Sequence, residues 1–263
     1  MTHYIAVANE KGGVAKTTSV VSLGGALTEL GYEVLVVDMD PQANLTLGLG
    51  NHPSEVNGSI ADVMMNAVAP QKVSIPTSIE GLHLLPSNAE MLLAERFLPI
   101  RNNPEVILRD QIRNDLPYDY VIFDCPPSLG AITLNALNAS DMLIIPSQPE
   151  YFSVYALRNM MSTIRQVREE HNPQLLYRVL ITMVDFRNRT HRTLTEQLRA
   201  TFKDGLFNTI IQTDTKLRES PIVGLPVTSY YSRTRSADQY RALAQEIIQH
   251  VKVLEEEKAP QPA

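Results

Sequence analysis

Two stretches, "YEVLVVDMD" (32–40) and "YDYVIFDCPPS" (118–128), constrain the fold more than any other part of the chain. Each holds a run of Val, Ile, Leu or Phe unbroken by polar residues, and each run closes on aspartate. A strand with one wet face alternates apolar and polar side chains; a strand covered on both faces does not. Five more stretches are mostly apolar and do not alternate: 4–9, 82–87, 141–149, 177–185 and 207–213. Helical spacing fills the intervals, over 17–30, 89–97, 104–115, 131–139, 152–171, 190–203 and 234–256. Val20, Leu23, Leu27 and Leu30 mark the first of these helices. The alternation predicts an α/β fold, a doubly wound and mostly parallel sheet with helices on both faces.

At 263 residues and 44% hydrophobic content the chain can bury one sizeable core. Residues 1–256 are read as a single domain and 257–263, "EKAPQPA", as a disordered tail. Residues 41–80, rich in Asn, Gly and Pro, are expected to be irregular surface structure. The single cysteine, Cys125, excludes a disulfide within the chain and reads as a small packing residue in a cytosolic protein. The N-terminus is too polar for a signal peptide, and no apolar run approaches the roughly 18 residues of a membrane span.

Ligands of such sheets bind beyond the carboxyl ends of the strands, and the informative residues obey that rule. After the first strand comes "NEKGGVAKTT" (9–18), a glycine-rich turn that opens a helix. Backbone N–H groups of Gly12, Gly13, Val14 and Ala15 would converge on a phosphate chain, helped by the helix N-terminus. Lys16 would neutralise the β- and γ-phosphates, Thr17 would offer its hydroxyl to Mg²⁺, and Thr18 would reach the α-phosphate. The usual loop reads Gly, four residues, then Gly-Lys-Ser/Thr. Here Glu10 and Ala15 replace its two glycines, and Lys11 is extra. Taken alone, the stretch also fits a plain turn with a lysine at a helix start.

Asp38 and Asp40 end the second strand run on the same side. Asp40 is read as the carboxylate that orients an attacking water, and Asp38 as support for the metal's water shell. Asp124, at the end of "VIFD", has the Walker-B position and would hold Mg²⁺ through water. Either motif alone fits an acidic strand cap or a solvated loop start. Their order in one α/β chain points to a nucleotide site.

"KGGVAKTT", "VLVVDMDPQANLT", "YDYVIFDCPPSLG", "ITMVDFRNRT" and "SRTRSADQYRALAQEII" resemble the deviant Walker-A ATPases of the ParA/MinD type, most closely the Soj-like partition proteins. The resemblance implies ATP and Mg²⁺ as ligands and a weak ATPase. It also implies a face-to-face homodimer, formed with ATP, in which Lys11 contacts the phosphates of the other subunit. Lys11, Lys16 and Asp40 would then be the catalytic residues, and Gly12 would lie at the interface. Lys11 alone also fits a solvated surface lysine. Ala15 departs from the family, which has glycine there.

The resemblance further implies binding to nonspecific double-stranded DNA, stimulation by a ParB-like protein, and a cytoplasmic, nucleoid-associated life. Charge agrees: residues 178–241 carry 11 Lys and Arg against 6 acids, inside a chain of net charge −6. "TDTKLRESP" (213–221) occupies the segment in which Soj-like proteins place DNA-contacting cations. Lys216, Arg218, Arg187 and Arg189 are the expected contacts, followed by Arg233 and Arg235, unless these are solubilising surface charges. Met183 and Asp214 are placed near adenine. The acidic end "QHVKVLEEEKAPQPA" argues against a membrane-bound MinD-type site selector. Two alternatives remain: the same engine positioning another intracellular cargo, and an ATP-using amidation relative.

Overall fold

All seven apolar runs become strands because each supplies side chains to both faces of one sheet. The computed structural model describes residues 1–151 and 153–258. In chain order the first half comprises β1 (His3–Val7), α1 (Lys16–Glu29), β2 (Val34–Asp38), α2 (Asn44–Gly48), α3 (Ile60–Asn66), α4 (Pro70–Val73), β3 (Ile75–Pro76), β4 (Leu82–Leu85), α5 (Met91–Phe97) and α6 (Ile107–Ile112). The second half comprises β5 (Tyr120–Asp124), α7 (Ala131–Ala139), β6 (Met142–Ser147), α8 (Ser153–Glu170), β7 (Leu176–Val184), α9 (Arg189–Phe202), β8 (Leu206–Gln212), α10 (Lys216–Glu219), α11 (Val227–Tyr230) and α12 (Arg235–Lys258). The strand order is β3-β4-β2-β5-β1-β6-β7-β8. Every pairing is parallel except that of β3 with β4.

Period-two geometry divides the core in two. Ile5, Val7, Val34, Val36, Tyr120 and Ile122 face α1 and α12, where Leu23, Leu27, Tyr240, Leu243 and Ile247 meet them. Ala6, Leu35, Val37, Val121 and Phe123 face the opposite layer, with Ile60, Met91, Ile132 and Met160. The order also fixes the site. β2, β5 and β1 are adjacent, and Asp124 of β5 lies opposite both Asp38 of β2 and Val7 of β1. Loops far apart in sequence therefore leave the sheet side by side, at the point where the order turns back on itself.

Helix α1 lies close to the chain around α11. A Cβ added at Gly25 would sit 2.5 Å from Pro226 Cβ and 2.7 Å from Thr228 Oγ1. Both sheet edges are blunted. β3 has two residues, one of them Pro76. At β8 the Glu246 carboxylate of α12 accepts hydrogen bonds from the Asn208 N–H (2.7 Å) and the Thr209 N–H (3.1 Å).

Residues 41–80 differ from expectation. They form α2, α3 and α4, with Leu45, Ile60, Val63 and Met64 fully buried. These helices run one or two turns, too short to show a period, and a Ser59–Asp62 capping box starts α3. The helix expected over 104–115 is confined to Ile107–Ile112. Helix α12 packs on α1 and β8 and continues to Lys258, past the expected domain end at 256; residues 259–263 of the expected tail lie outside the described residues. Cys125 is buried, and burial pushes its thiol up, away from reactivity. Among the described residues, no helix is long and apolar enough to cross a membrane.

Candidate nucleotide site

The turn between β1 and α1 uses two left-handed residues, Gly13 (φ 71°) and Ala15 (φ 69°). Glycine adopts that conformation freely, whereas alanine does so at roughly 1–2 kcal/mol. Ala15 is the residue that caps α1, so the strain sits where the loop becomes helix. A Cβ at Gly12 or Gly13 would meet nothing within 4 Å, and both glycines line an open cavity. Neighbouring strands hold the loop from behind. The Thr182 hydroxyl donates to Val14 O (3.0 Å), the Gln148 amide donates to Gly13 O (3.0 Å), and Asn9 Nδ2 donates to Pro146 O (2.7 Å).

Lys16 is only 8% exposed. Its ammonium donates to Asn9 O (3.0 Å) and Lys11 O (3.1 Å), neutral acceptors that a phosphate oxygen would outcompete. Burial lowers its pKa, and Asp124 opposes that shift. Thr17 Oγ1 donates to Asp124 Oδ2 at 2.6 Å. Asp124 Oδ1, also buried, has no hydrogen-bond partner. Burial, and then the charge of Asp38, raise the Asp124 pKa well above the usual carboxylate range. An orphaned anionic oxygen beside a threonine hydroxyl fits a divalent cation or its water.

Asp38 is engaged differently from its expected place in a water shell. Its Oδ2 accepts from the Thr46 N–H (2.8 Å) and the Thr46 hydroxyl (2.7 Å), and its Oδ1 accepts from the Asp40 N–H (3.1 Å). Burial pushes its pKa up to about 7, while the Thr46 and Asp40 hydrogen bonds restrain the rise. Asp40 is half-buried and lines the cavity, with its Oδ1 accepting from the Gln42 N–H (2.9 Å).

A cavity of about 380 Å³ lies beside these residues. Of the expected site residues, Gly12, Gly13, Ala15, Lys16, Thr17, Thr18, Asp40, Met183 and Asp214 line it, whereas Lys11, Asp38 and Asp124 do not. Val14 turns its side chain into the core and offers only its backbone. Asn44, Pro127, Gln212, Thr213 and Leu217 also line the cavity and were not foreseen. Gln212 closes β8 and the others follow a strand by a few residues, a signal that the strand-end rule offered and composition hid. Met183 is left-handed (φ 56°) and Thr213 Oγ1 donates to its carbonyl (3.0 Å), so the ends of β7 and β8 are pinned together here.

Lys11 does not stand free. Its ammonium pairs with Glu150 at 2.5 Å, and Glu10 accepts from Asn159 Nδ2 at 2.8 Å. The front of the loop is thus fastened to the segment after β6 and to α8. Among the expected DNA contacts, Arg218 lines the nucleotide cavity. Lys216 pairs with Glu219 (2.7 Å) and lies 4.5 Å over the Tyr231 ring. Arg187, 93% exposed, pairs with Asp185, and its hydrogen bonds hold that carboxyl down at about 2. Arg235 donates to Thr213 O (3.0 Å) and lines a second cavity together with Arg187. Arg189, on the first turn of α9, and Arg233 are exposed. Arg187 and Arg189 thus follow β7, Lys216 and Arg218 follow β8, Arg235 reaches back to the end of β8, and Arg218 alone of the six lines the nucleotide cavity.

Comparison with known proteins agrees with this geometry. A family model described as an AAA domain, AAA_31, matches residues 2–177. Sporulation initiation inhibitor protein Soj of Bacillus subtilis is 37% identical over 247 residues, covering 92% of this chain and 97% of that one. Chromosome partitioning protein ParA of Caulobacter vibrioides is 36% identical over 248 residues, covering 93% of each. The chain belongs to the ParA/Soj family of partition ATPases. The family's P-loop fold is seen in a solved structure of Mycobacterium smegmatis cobyrinic acid a,c-diamide synthase with bound ATP analog and magnesium. That structure is 35% identical, has a TM-score of 0.83, and covers 96% of each chain.

Proposed function

We propose that this member of the ParA/Soj family is an ATP- and Mg²⁺-dependent dimerising switch that binds DNA without sequence preference and partitions DNA with a ParB-like protein. One observation carries the reading. Lys16, Thr17 and Asp40 line one cavity, the Thr17 hydroxyl donates to an Asp124 carboxylate whose other oxygen is orphaned, and a second lysine, Lys11, immediately precedes the glycines of the cavity wall. Lys16 and the loop amides would hold the phosphates, and Thr17 and Asp124 would hold Mg²⁺, whose chemistry there is to neutralise phosphate charge. Asp40 orients the attacking water.

Lys11 leaves Glu150 to reach the nucleotide of a second copy, where its charge stabilises the transferred phosphoryl group. Gly12 and Gly13, open on that side, leave room for the approach. Arg187, Arg189, Arg233 and Arg235, with Lys216, supply phosphate contacts at the β7–β8 end, and Arg218 joins that surface to the nucleotide wall. A cytoplasmic, nucleoid-associated location follows from this role.

The test is a DNA titration with ATP, with ADP and without nucleotide, at two salt concentrations. Binding that needs ATP and weakens steeply with salt supports the switch. Binding indifferent to both refutes it. The likeness to the Mycobacterium smegmatis diamide synthase favours a second reading, ATP-driven amidation. ATP turnover stimulated by DNA, with no carboxylic acid substrate present, separates the two.

A further inference from the structure

The loop after β2 is closed on itself. Asp38 ends the strand, Thr46 lies in α2, and two hydrogen bonds join them, from the Thr46 N–H (2.8 Å) and the Thr46 hydroxyl (2.7 Å) to Asp38 Oδ2. Between these two residues lies Asp40. Its N–H donates to the other oxygen of the same carboxylate at 3.1 Å. On its far side, Thr46 Oγ1 accepts from the Ser87 N–H at 3.0 Å, just beyond β4. Asp38, Thr46 and Ser87 are all fully buried.

This arrangement fixes the direction of every bond. An amide can only donate, so the Ser87 N–H occupies a lone pair of the hydroxyl. The single hydroxyl proton is then committed to Asp38. The chain reads Ser87 amide to Thr46 hydroxyl to Asp38 carboxylate, met from the other side by the Asp40 amide. The loop carries strain that needs such a restraint. Ala43 is left-handed (φ 52°), a conformation that persists in an L-residue only where its surroundings over-determine it.

We propose that Thr46 is a positioning residue for ATP turnover. Its hydroxyl orients the Asp38 carboxylate, which holds the backbone of Asp40 and so sets where the Asp40 side chain meets the attacking water. This inference rests on the proposed role of Asp40 in ATP hydrolysis. Thr46 does not line the cavity, so its loss acts on the chemical step rather than on nucleotide binding.

Thr46→Val keeps the branched shape and removes the hydroxyl; Thr46→Ser keeps the hydroxyl. Steady-state turnover of Mg-ATP and the Kd of a fluorescent ATP analogue are measured for both, with Asp40→Ala alongside. Thr46→Val is expected to lower kcat by about 10- to 100-fold, the scale of a small misplacement, with Kd within about twofold. Thr46→Ser is expected to stay close to the wild-type chain. Wild-type turnover by folded Thr46→Val overturns the proposal, as does a Thr46→Ser loss equal to that of Thr46→Val. If Thr46→Val does not fold, Thr46→Cys, a weak donor, takes its place and must fall between wild type and Asp40→Ala. Unimpaired turnover by Asp40→Ala overturns the role of Asp40, and with it this inference. Turnover abolished by Asp40→Ala but indifferent to Thr46 overturns this inference alone.

Discussion

Replacing Ala15 with glycine should stabilise the protein without harming its nucleotide site. Ala15 has φ 69° and ψ 33°. An L-residue in that left-handed region costs roughly 1–2 kcal/mol. Glycine removes the clash but loses more freedom on folding, roughly 0.5–1 kcal/mol. The difference favours glycine by about 1 kcal/mol, or about 2–4 °C in Tm for a chain of this size. Urea denaturation of the nucleotide-free protein measures it, as a higher midpoint at unchanged slope. Ala15 lines the cavity, so loss of its methyl group opens space and leaves the loop amide in place. Mg-ATP affinity should be equal or better. A midpoint that stays or falls refutes the strain argument. A glycine variant that binds ATP more than about tenfold more weakly refutes the phosphate-loop assignment. Ala15→Val, β-branched and less tolerant of positive φ, should move the midpoint down.

Further substitutions have defined outcomes. Lys16→Ala should lose ATP binding by calorimetry, because it removes the buried cation, whereas Lys11→Ala should bind ATP yet fail to dimerise in light scattering. Asp40→Ala should accumulate as an ATP-bound dimer without phosphate release; normal release would remove its assigned role. Gly25→Ala should destabilise despite the usual helix gain of about 1 kcal/mol, since its Cβ meets a rigid proline ring at 2.5 Å and overpacking costs about 1–3 kcal/mol; a higher denaturation midpoint would refute this. Arg187→Ala should raise the Asp185 carboxyl part of the way from about 2 toward the ordinary range in NMR titration, the residue 187 N–H still holding it down, and should flatten the salt dependence of DNA binding by about one phosphate contact.

The sheet was legible because buried parallel strands announce themselves in unbroken runs such as 34–38 and 120–124. The phosphate loop and its two acids were legible because a site at strand ends is built from contiguous residues. What escaped was short or assembled from afar. α3 has seven residues, too few to show a period, yet it buries Ile60, Val63 and Met64. Gln212 and Thr213 enter the cavity only because β7 and β8 are pinned at their ends. The pairing of Lys11 with Glu150 spans 139 positions, and no local pattern records it. Arg218 reads from the sequence as a DNA contact, and its place in the cavity wall shows only once α10 is folded. The Thr46 partner of Asp38 lies eight positions away, and no local pattern announces it.

The Glu246 carboxylate that occupies two amides of β8 bears on cohesion between copies. A proteinaceous switch must come apart as reliably as it comes together. Exposed strand edges are adhesive at all times and answer to no ligand. With β3 cut to two residues at one margin and Glu246 shielding the other, the sheet offers little such permanent adhesion. In the proposed switch, association would be left to the face that bears the nucleotide cavity, where hydrolysis would end it.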